Sequence, residues 1–519
     1  MRRFSCFVAS GFAAAFFPHE LVAQRAPAPP PGLDAYVAGV MKAFGVPGLS
    51  LAVVKDGQVV VARGYGVRKL GEPEAVDAET RFAIASNSKL FTATALGLLV
   101  EEGKLEWDAP VVRYLPWFAL SDPYVTHELT VRDLLVHRSG LGLGAGDLLW
   151  WPPSTYDRSE IARRLRHIPL ATSFRSAYAY DNVLYLIAGL LIESVSGESW
   201  EDFVRERIFR PVGMSGATPD NTESAAGPND AWPHAKVDGT LRTVPVFRSR
   251  NVNPAGGISA GATDMARWLV TQLDSGRVGS GRLFSERTTR QLWTMVTPIP
   301  QGPPPPELAP YRAEFNGYAL GVGVRDYRGV KLLQHTGGLP GFVSRVAMIP
   351  SAKVGVSVLT NAESGSAFDA IAWWILDYYL GVRPAFDWAA AYAALEAKAV
   401  PPSSQVAAPD KTSRPSLPLD RYAGKYLDAW YGDVTIRKDG DRLAIAFCCS
   451  PDLVGTLEHW QYDTFVARWN DRSLRADAFV TFSLTPDGKI AEARMAPFSA
   501  EVDFSFDFQD LRLVPATHQ

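Results

Sequence analysis

Ser86-Asn87-Ser88-Lys89, followed by the apolar run Leu90-Phe91-Thr92-Ala93-Thr94-Ala95-Leu96-Gly97-Leu98-Leu99-Val100, is the stretch on which the fold turns. The run predicts a buried helix, and the tetrad marks its start. Helical residues at i and i+3 share a face, so the amine of Lys89 reaches the hydroxyl of Ser86. A hydroxyl becomes a useful nucleophile near pH 7 when a base takes its proton, and a desolvated lysine is such a base. Free amides at the helix N-terminus also favour negative charge developing at Ser86. By itself the match reads more readily as a serine N-cap than as a nucleophile. The rest of the chain must supply the partners.

Working outward, β-rich runs at 48–54 and 58–66 flank Asp56-Gly57, a hairpin signal. From Trp107 to Pro254 the pattern is largely helical, with runs at 131–136, 157–167, 183–194 and 200–209. β-runs return at 318–324, 329–334, 343–349 and 354–359, and an aromatic-rich helix follows at 368–380. Strands from both ends of this region therefore build one antiparallel sheet with helices on its faces and a helical region inserted, an α+β arrangement.

Three further segments carry chemistry. Tyr180-Asp181-Asn182 precedes an apolar helix, and His335-Thr336-Gly337-Gly338 closes a β-run. Two strands after that motif place it on the sheet. With Ser86 and Lys89 in front, the order and the gaps of 91 (180 − 89) and 153 (335 − 182) residues resemble the serine β-lactamase and penicillin-binding-protein superfamily. The branch resembled most is that of class C β-lactamases, related esterases and D-amino-acid-specific peptidases. Accompanying segments agree: His137-Arg138-Ser139-Gly140-Leu141, Pro211-Val212-Gly213-Met214 and Pro254-Ala255-Gly256-Gly257-Ile258. The resemblance covers residues 33–385, within a hydrolase domain set at 33–390.

The resemblance implies that Ser86 attacks a carbonyl and forms an acyl-enzyme, while Lys89 and Tyr180 exchange its protons. Tyr180 serves as a base only if Lys89 favours its phenolate. Asn182 binds the substrate amide or orients Lys89. His335, Thr336 and Gly337 line the substrate, and the backbone amides of Ser86 and Gly338 form the oxyanion hole. Many relatives carry lysine where this chain has His335. A largely neutral imidazole weakens recognition of a carboxylate, so small esters, amides and D-amino-acid peptides fit at least as well as β-lactams.

Two other readings compete. Gly257-Ile258-Ser259-Ala260-Gly261 satisfies Gly-x-Ser-x-Gly, but that nucleophile elbow needs a strand leading in, and Asn251 to Gly256 has loop composition. A non-catalytic sensor of cell-wall fragments has no need of an activated Ser86. His137 and Ser139 read as part of a turn after the helix at 131–136.

The remaining bounds are compositional. The chain has 519 residues and a formal net charge of −3, which leaves no electrostatic footprint for nucleic acid. Met1-Arg2-Arg3 and the apolar run from Phe4 to Phe17 predict a signal peptide at 1–23, hence a periplasmic or secreted protein. That run is too short for a stable membrane anchor. No Cys/His spacing suggests zinc, and no cofactor is expected. Cys448 and Cys449 read as two buried thiols in a strand, with a strained vicinal disulfide as the alternative. Residues 400–418 read as a linker, and the short strands of 419–515 resemble the lipocalin-like barrel domain that some of these hydrolases carry. The partner is a small ester, amide or peptide; the oligomeric state is left open.

Overall fold

The apolar runs at the two ends of the first domain pair with each other. In this computed structural model, which describes residues 27–223, 225, 227–399 and 406–516, strands β1 (Gly48–Lys55) and β2 (Gln58–Gly66) form the expected hairpin. Asp56 and Gly57 both take positive φ, 52° and 75°, as a two-residue primed turn requires. Strands β3 (Thr297–Pro298), β4 (Asn316–Tyr318), β5 (Gly323–Tyr327), β6 (Val330–Leu339), β7 (Phe342–Ile349) and β8 (Val354–Thr360) complete the sheet. Its order is β2-β1-β8-β7-β6-β5-β4-β3, antiparallel throughout. The expected signal peptide and the first part of the expected linker lie outside the described residues.

Both faces of this sheet are covered, which is why its central strands read as continuous apolar runs. Leu49, Leu51 and Val53 of β1 point into one core, with helices α1 (Leu33–Phe44), α5 (Gly365–Tyr379) and α6 (Trp388–Lys398). Ala52 and Val54 point into the other, with α2 (Lys89–Glu101), α3 (Val183–Ser196) and α4 (Ala262–Leu273).

Two departures from the sequence reading have local causes. The run at 318–324 is broken between β4 and β5, where Ala319 N–H donates to Val322 O at 2.8 Å. Gly321 there has φ 77°, and a Cβ on it would lie 2.6 Å from Lys89 O, so the turn packs on the start of α2. A small hairpin, His234–Val237 with Thr240–Thr243, sits inside the region read as helical.

The C-terminal strands β9 (Gly424–Asp428), β10 (Gly432–Asp439), β11 (Arg442–Phe447), β12 (Val454–Gln461), β13 (Thr464–Trp469), β14 (Ala478–Leu484), β15 (Ile490–Pro497) and β16 (Arg512–Pro515) close into an antiparallel barrel. Eight strands leave an interior that side chains can fill, and Tyr426, Phe447, Phe465, Trp469, Phe482 and Phe508 are buried. The described part of the linker is tied to the barrel, with Asp410 N–H donating to Gln461 Oε1 at 3.0 Å and Ser416 N–H to Asp463 Oδ1 at 3.0 Å. Cys448 and Cys449 are not thiols in a strand: they lie in the bend after β11 and are joined as a disulfide. Strand geometry would send adjacent side chains to opposite faces; leaving the strand brings them together.

The barrel is docked on the first domain. Arg475 makes a two-pronged contact with Glu363 (2.6 and 2.7 Å), Arg164 donates to Trp430 O at 3.0 Å, and Thr155 N–H donates to Cys449 O at 2.8 Å.

Candidate active site

The tetrad begins as a 3₁₀ turn, Ala85–Ser88, that runs into α2 at Lys89. Ala85 holds φ 49°, a conformation that costs a non-glycine residue on the order of 1 kcal/mol and redirects the chain so that Ser86 is half-exposed between buried neighbours. Neighbouring side chains lock the turn. Asn87 Nδ2 donates to Ser344 Oγ (2.7 Å), Ser344 Oγ donates to Ile84 O (2.6 Å), and Ile258 N–H donates to Ser88 Oγ (3.0 Å). β6 passes close by: a Cβ on Gly337 would lie 2.2 Å from Ile84 O. Glycine is needed there for backbone approach, and Gly337 is buried beneath the cleft instead of lining it.

Lys89 is fully buried. Its Nζ lies 3.0 Å from Ser86 Oγ, 2.7 Å from Asn182 Oδ1 and 2.9 Å from Ala255 O. Asn182 Oδ1 and Ala255 O can only accept. A neutral amine satisfies all three contacts, giving two N–H bonds to those oxygens and its lone pair to the Ser86 hydroxyl. Burial pushes the Lys89 amine down to about 7, against the opposing pull of the Asp147 and Asp181 carboxylates. Burial likewise drives both acids up, Asp147 to about 7 and Asp181 to about 8. Three titratable groups thus share a dry site close to neutrality.

Asn182 is committed on both sides, since its Nδ2 donates to Asp147 Oδ2 at 2.7 Å. Of its two expected roles, the geometry realises the orientation of Lys89. Tyr180 shares the cleft with Ser86; burial, and then the nearby Tyr178, Asp147 and Asp181, push its phenol well above the ordinary range against a smaller lowering by Ser86. Its ring lies 5.0 Å from Lys89 Nζ. The phenolate expected from the lysine's proximity is therefore disfavoured, and Tyr180 stays a proton donor.

His335 is buried, with Nε2 2.6 Å from Tyr318 Oη and Nδ1 2.5 Å from Thr336 O. Burial, then the charge of Lys89, lowers its pKa to about 3. It is neutral at any physiological pH, further from a lysine surrogate than its ordinary pKa suggests. With Nδ1 donating to the carbonyl, Nε2 accepts from Tyr318.

Ser86, Tyr180, Asn182, His335, Thr336 and Gly338 meet in one cleft of about 450 Å³. β6 pairs with β5 only as far as Gln334↔Gly323, so the Thr336–Leu339 end of that edge has no strand partner among the described residues. Ser259 is elsewhere. It is 1% exposed in a two-residue strand, Ser259–Ala260, paired with Phe82–Ala83, and a helical turn, Asn253–Gly256, leads in. The nucleophile-elbow geometry is absent.

Several site residues escaped sequence reasoning. Asp147 follows a glycine-rich stretch, Gly142 to Gly146, with no pattern linking it to Asn182. Tyr318 seemed a strand residue. His137, read as a turn, has φ 55° but is buried, with its ring tilted against the Tyr180 ring at 4.2 Å between centroids, and accepts from Asp181 N–H through Nδ1 at 3.2 Å.

An antiparallel sheet with helices on both faces, and a serine and a buried lysine at the start of one of those helices, define a β-lactamase-like fold. The sequence profile of the beta-lactamase family matches residues 33–380, and the chain belongs to that family. Residues 408–515 match a domain described only as of unknown function, DUF3471. The chain is 30% identical over 421 residues to the unguisins hydrolase ungD′ of Aspergillus campestris, covering 76% of each chain. It is 29% identical over 340 residues to penicillin-binding protein 4 of Amycolatopsis lactamdurans, covering 62% of this chain and 83% of that one. Among solved structures, the octameric penicillin-binding protein homologue from Pyrococcus abyssi shares the fold, with a TM-score of 0.59 at 22% identity, over 93% of this chain and 99% of that one.

Proposed function

We propose that this protein is an exported serine hydrolase that cleaves an ester or amide bond through an acyl-enzyme on Ser86. The observation that carries the reading is the three-way environment of Lys89 Nζ, which suits a neutral amine taking the Ser86 proton. As Ser86 Oγ attacks, its proton passes to Lys89, and negative charge grows on the carbonyl oxygen. The amides of Ser86 and Gly338 receive that charge; such donors contribute roughly 3–4 kcal/mol. Tyr180, still protonated and in the same cleft, gives its proton to the leaving group and recovers one from Lys89. Water then attacks the acyl-enzyme by the reverse exchange.

The unpartnered end of β6 suits an extended, peptide-like substrate laid alongside it. Kinship to a protein named as a hydrolase of unguisins favours the catalytic reading over a non-catalytic sensor. A neutral His335 disfavours a substrate that must be held by its carboxylate. The test is labelling with a fluorophosphonate and peptide mapping. The expected adduct is on Ser86 and is lost in Ser86→Ala; an adduct on Ser259, or unchanged turnover in Ser86→Ala, refutes the assignment.

A further inference from the structure

One wall of the catalytic cleft comes from the other domain. The segment between β15 and β16 returns to the first domain and places Asp503, Phe504 and Ser505 among the cleft-lining residues. It is fixed there by contacts at successive positions. Ser505 Oγ donates to Asp147 Oδ2 at 2.9 Å, the same oxygen that receives Asn182 Nδ2. Gly146 N–H donates to Asp507 Oδ2 at 2.8 Å. Gly144, with φ 69°, packs so tightly that a Cβ would lie 2.6 Å from Phe504 O, while its own N–H donates to Tyr180 O at 2.9 Å. Ser505 and Asp507 are buried, and Phe506 and Phe508 continue into apolar packing.

Phe504 is the exception in this anchored segment. Its ring remains 40% exposed, standing edge-on to the Tyr180 ring at 6.0 Å between centroids. A large apolar ring left open inside a cleft, on a backbone held from both sides, is a ready contact surface for an apolar ligand group. Its neighbours extend that surface: Tyr178, Ile299 and Trp151 line the same cleft.

We propose that Phe504 of the barrel domain is a specificity-determining residue of the hydrolase, selecting substrates that carry a bulky apolar group beside the scissile carbonyl. The proposal rests on Ser86 being the nucleophile, because the selected group is placed relative to that atom. The barrel is then a working part of the active site, and its filled interior needs no ligand of its own.

The test compares the rates at which two fluorophosphonates, one methyl-substituted and one phenethyl-substituted, modify Ser86 in the full-length protein, followed by mass spectrometry. The native protein is expected to prefer the phenethyl probe by at least about tenfold, the range that burying an aromatic group commands. Phe504→Ala should reduce the preference by about fivefold or more, while Phe504→Leu keeps most of it. The effect is read as the ratio of the two probe rates within each protein, and matching circular dichroism and thermal unfolding across the three proteins shows that the variants fold. An unchanged preference in Phe504→Ala overturns the proposal, as does an equal slowing of both probes. An adduct absent from Ser86 in the native protein overturns the nucleophile assignment, and this proposal with it; an adduct at Ser86 with no native preference overturns the wall alone.

Discussion

Replacing Lys89 with arginine tests the neutral-amine reading most directly. Burial lowers the Lys89 pKa from 10.5 to about 7, a bias against the charged form of about 5 kcal/mol at 1.36 kcal/mol per unit. At pH 7 about half of the molecules then hold a free lone pair, against about one in 3,000 for an unshifted lysine. Because the neutral form is the base, acylation should rise with pH through a limb centred near 7 and level off above it. Arginine keeps the donors and the charge but stays protonated at every accessible pH. Lys89→Arg should therefore lose about a thousandfold in kcat/KM, within the range of general-base removal, and lose the ascending limb. The assay is kcat/KM for an activated ester between about pH 5 and 9. A native profile flat across neutrality, or Lys89→Arg active within about tenfold with its limb intact, refutes the reasoning.

Other outcomes follow from single contacts. Asp147→Ala removes the acceptor that Asn182 Nδ2 and Ser505 Oγ share; it should lower kcat by about ten- to a hundredfold and move the limb, read in the same assay, to lower pH, because Lys89 loses both its orientation and a nearby negative charge that raises its pKa. His335→Lys adds a cation facing the cleft and should raise kcat/KM for carboxylate-bearing β-lactams relative to neutral esters by about tenfold, since a charge-assisted hydrogen bond contributes about 1.5–3 kcal/mol; an unchanged ratio counts against the explanation from His335 neutrality. Asp133 lies fully buried against Arg138, Arg175 and Thr130. Burial opposes its charge, yet those hydrogen bonds outweigh burial and hold its carboxyl below the ordinary value. Its stabilisation is thus present above about pH 4 and lost as the pH falls through the lowered value. Asp133→Ala should cost about 3–5 kcal/mol in urea unfolding at pH 7, because two arginines lose their partner; a loss below about 1 kcal/mol contradicts this.

The parts of the molecule legible in advance are those in which close neighbours in sequence decide the outcome. The β1–β2 hairpin follows from the two β-rich runs on either side of Asp56-Gly57, and the nearness of Lys89 to Ser86 follows from helical spacing. Tyr180, Asn182 and His335 were placed by their order along the chain, and the sheet and α3 bring all three to one cleft. The break between β4 and β5 was hidden because Gly321 answers to α2, which lies more than two hundred residues earlier. The bend at Cys448 and Cys449 was hidden because it depends on where β11 ends.

By itself, then, the sequence determined the nearness of Lys89 to Ser86 and the order of the motifs around them, since spacing and periodicity are properties of the chain. Only the tertiary structure decided the protonation chemistry. Lys89 titrates near neutrality, His335 becomes neutral and Tyr180 stays protonated, because folding strips water from them and surrounds them with groups from distant segments. It also decided that Phe504, more than four hundred residues from Ser86, stands in the same cleft. Desolvation and domain docking depend on what packs in three dimensions, and no local pattern encodes them.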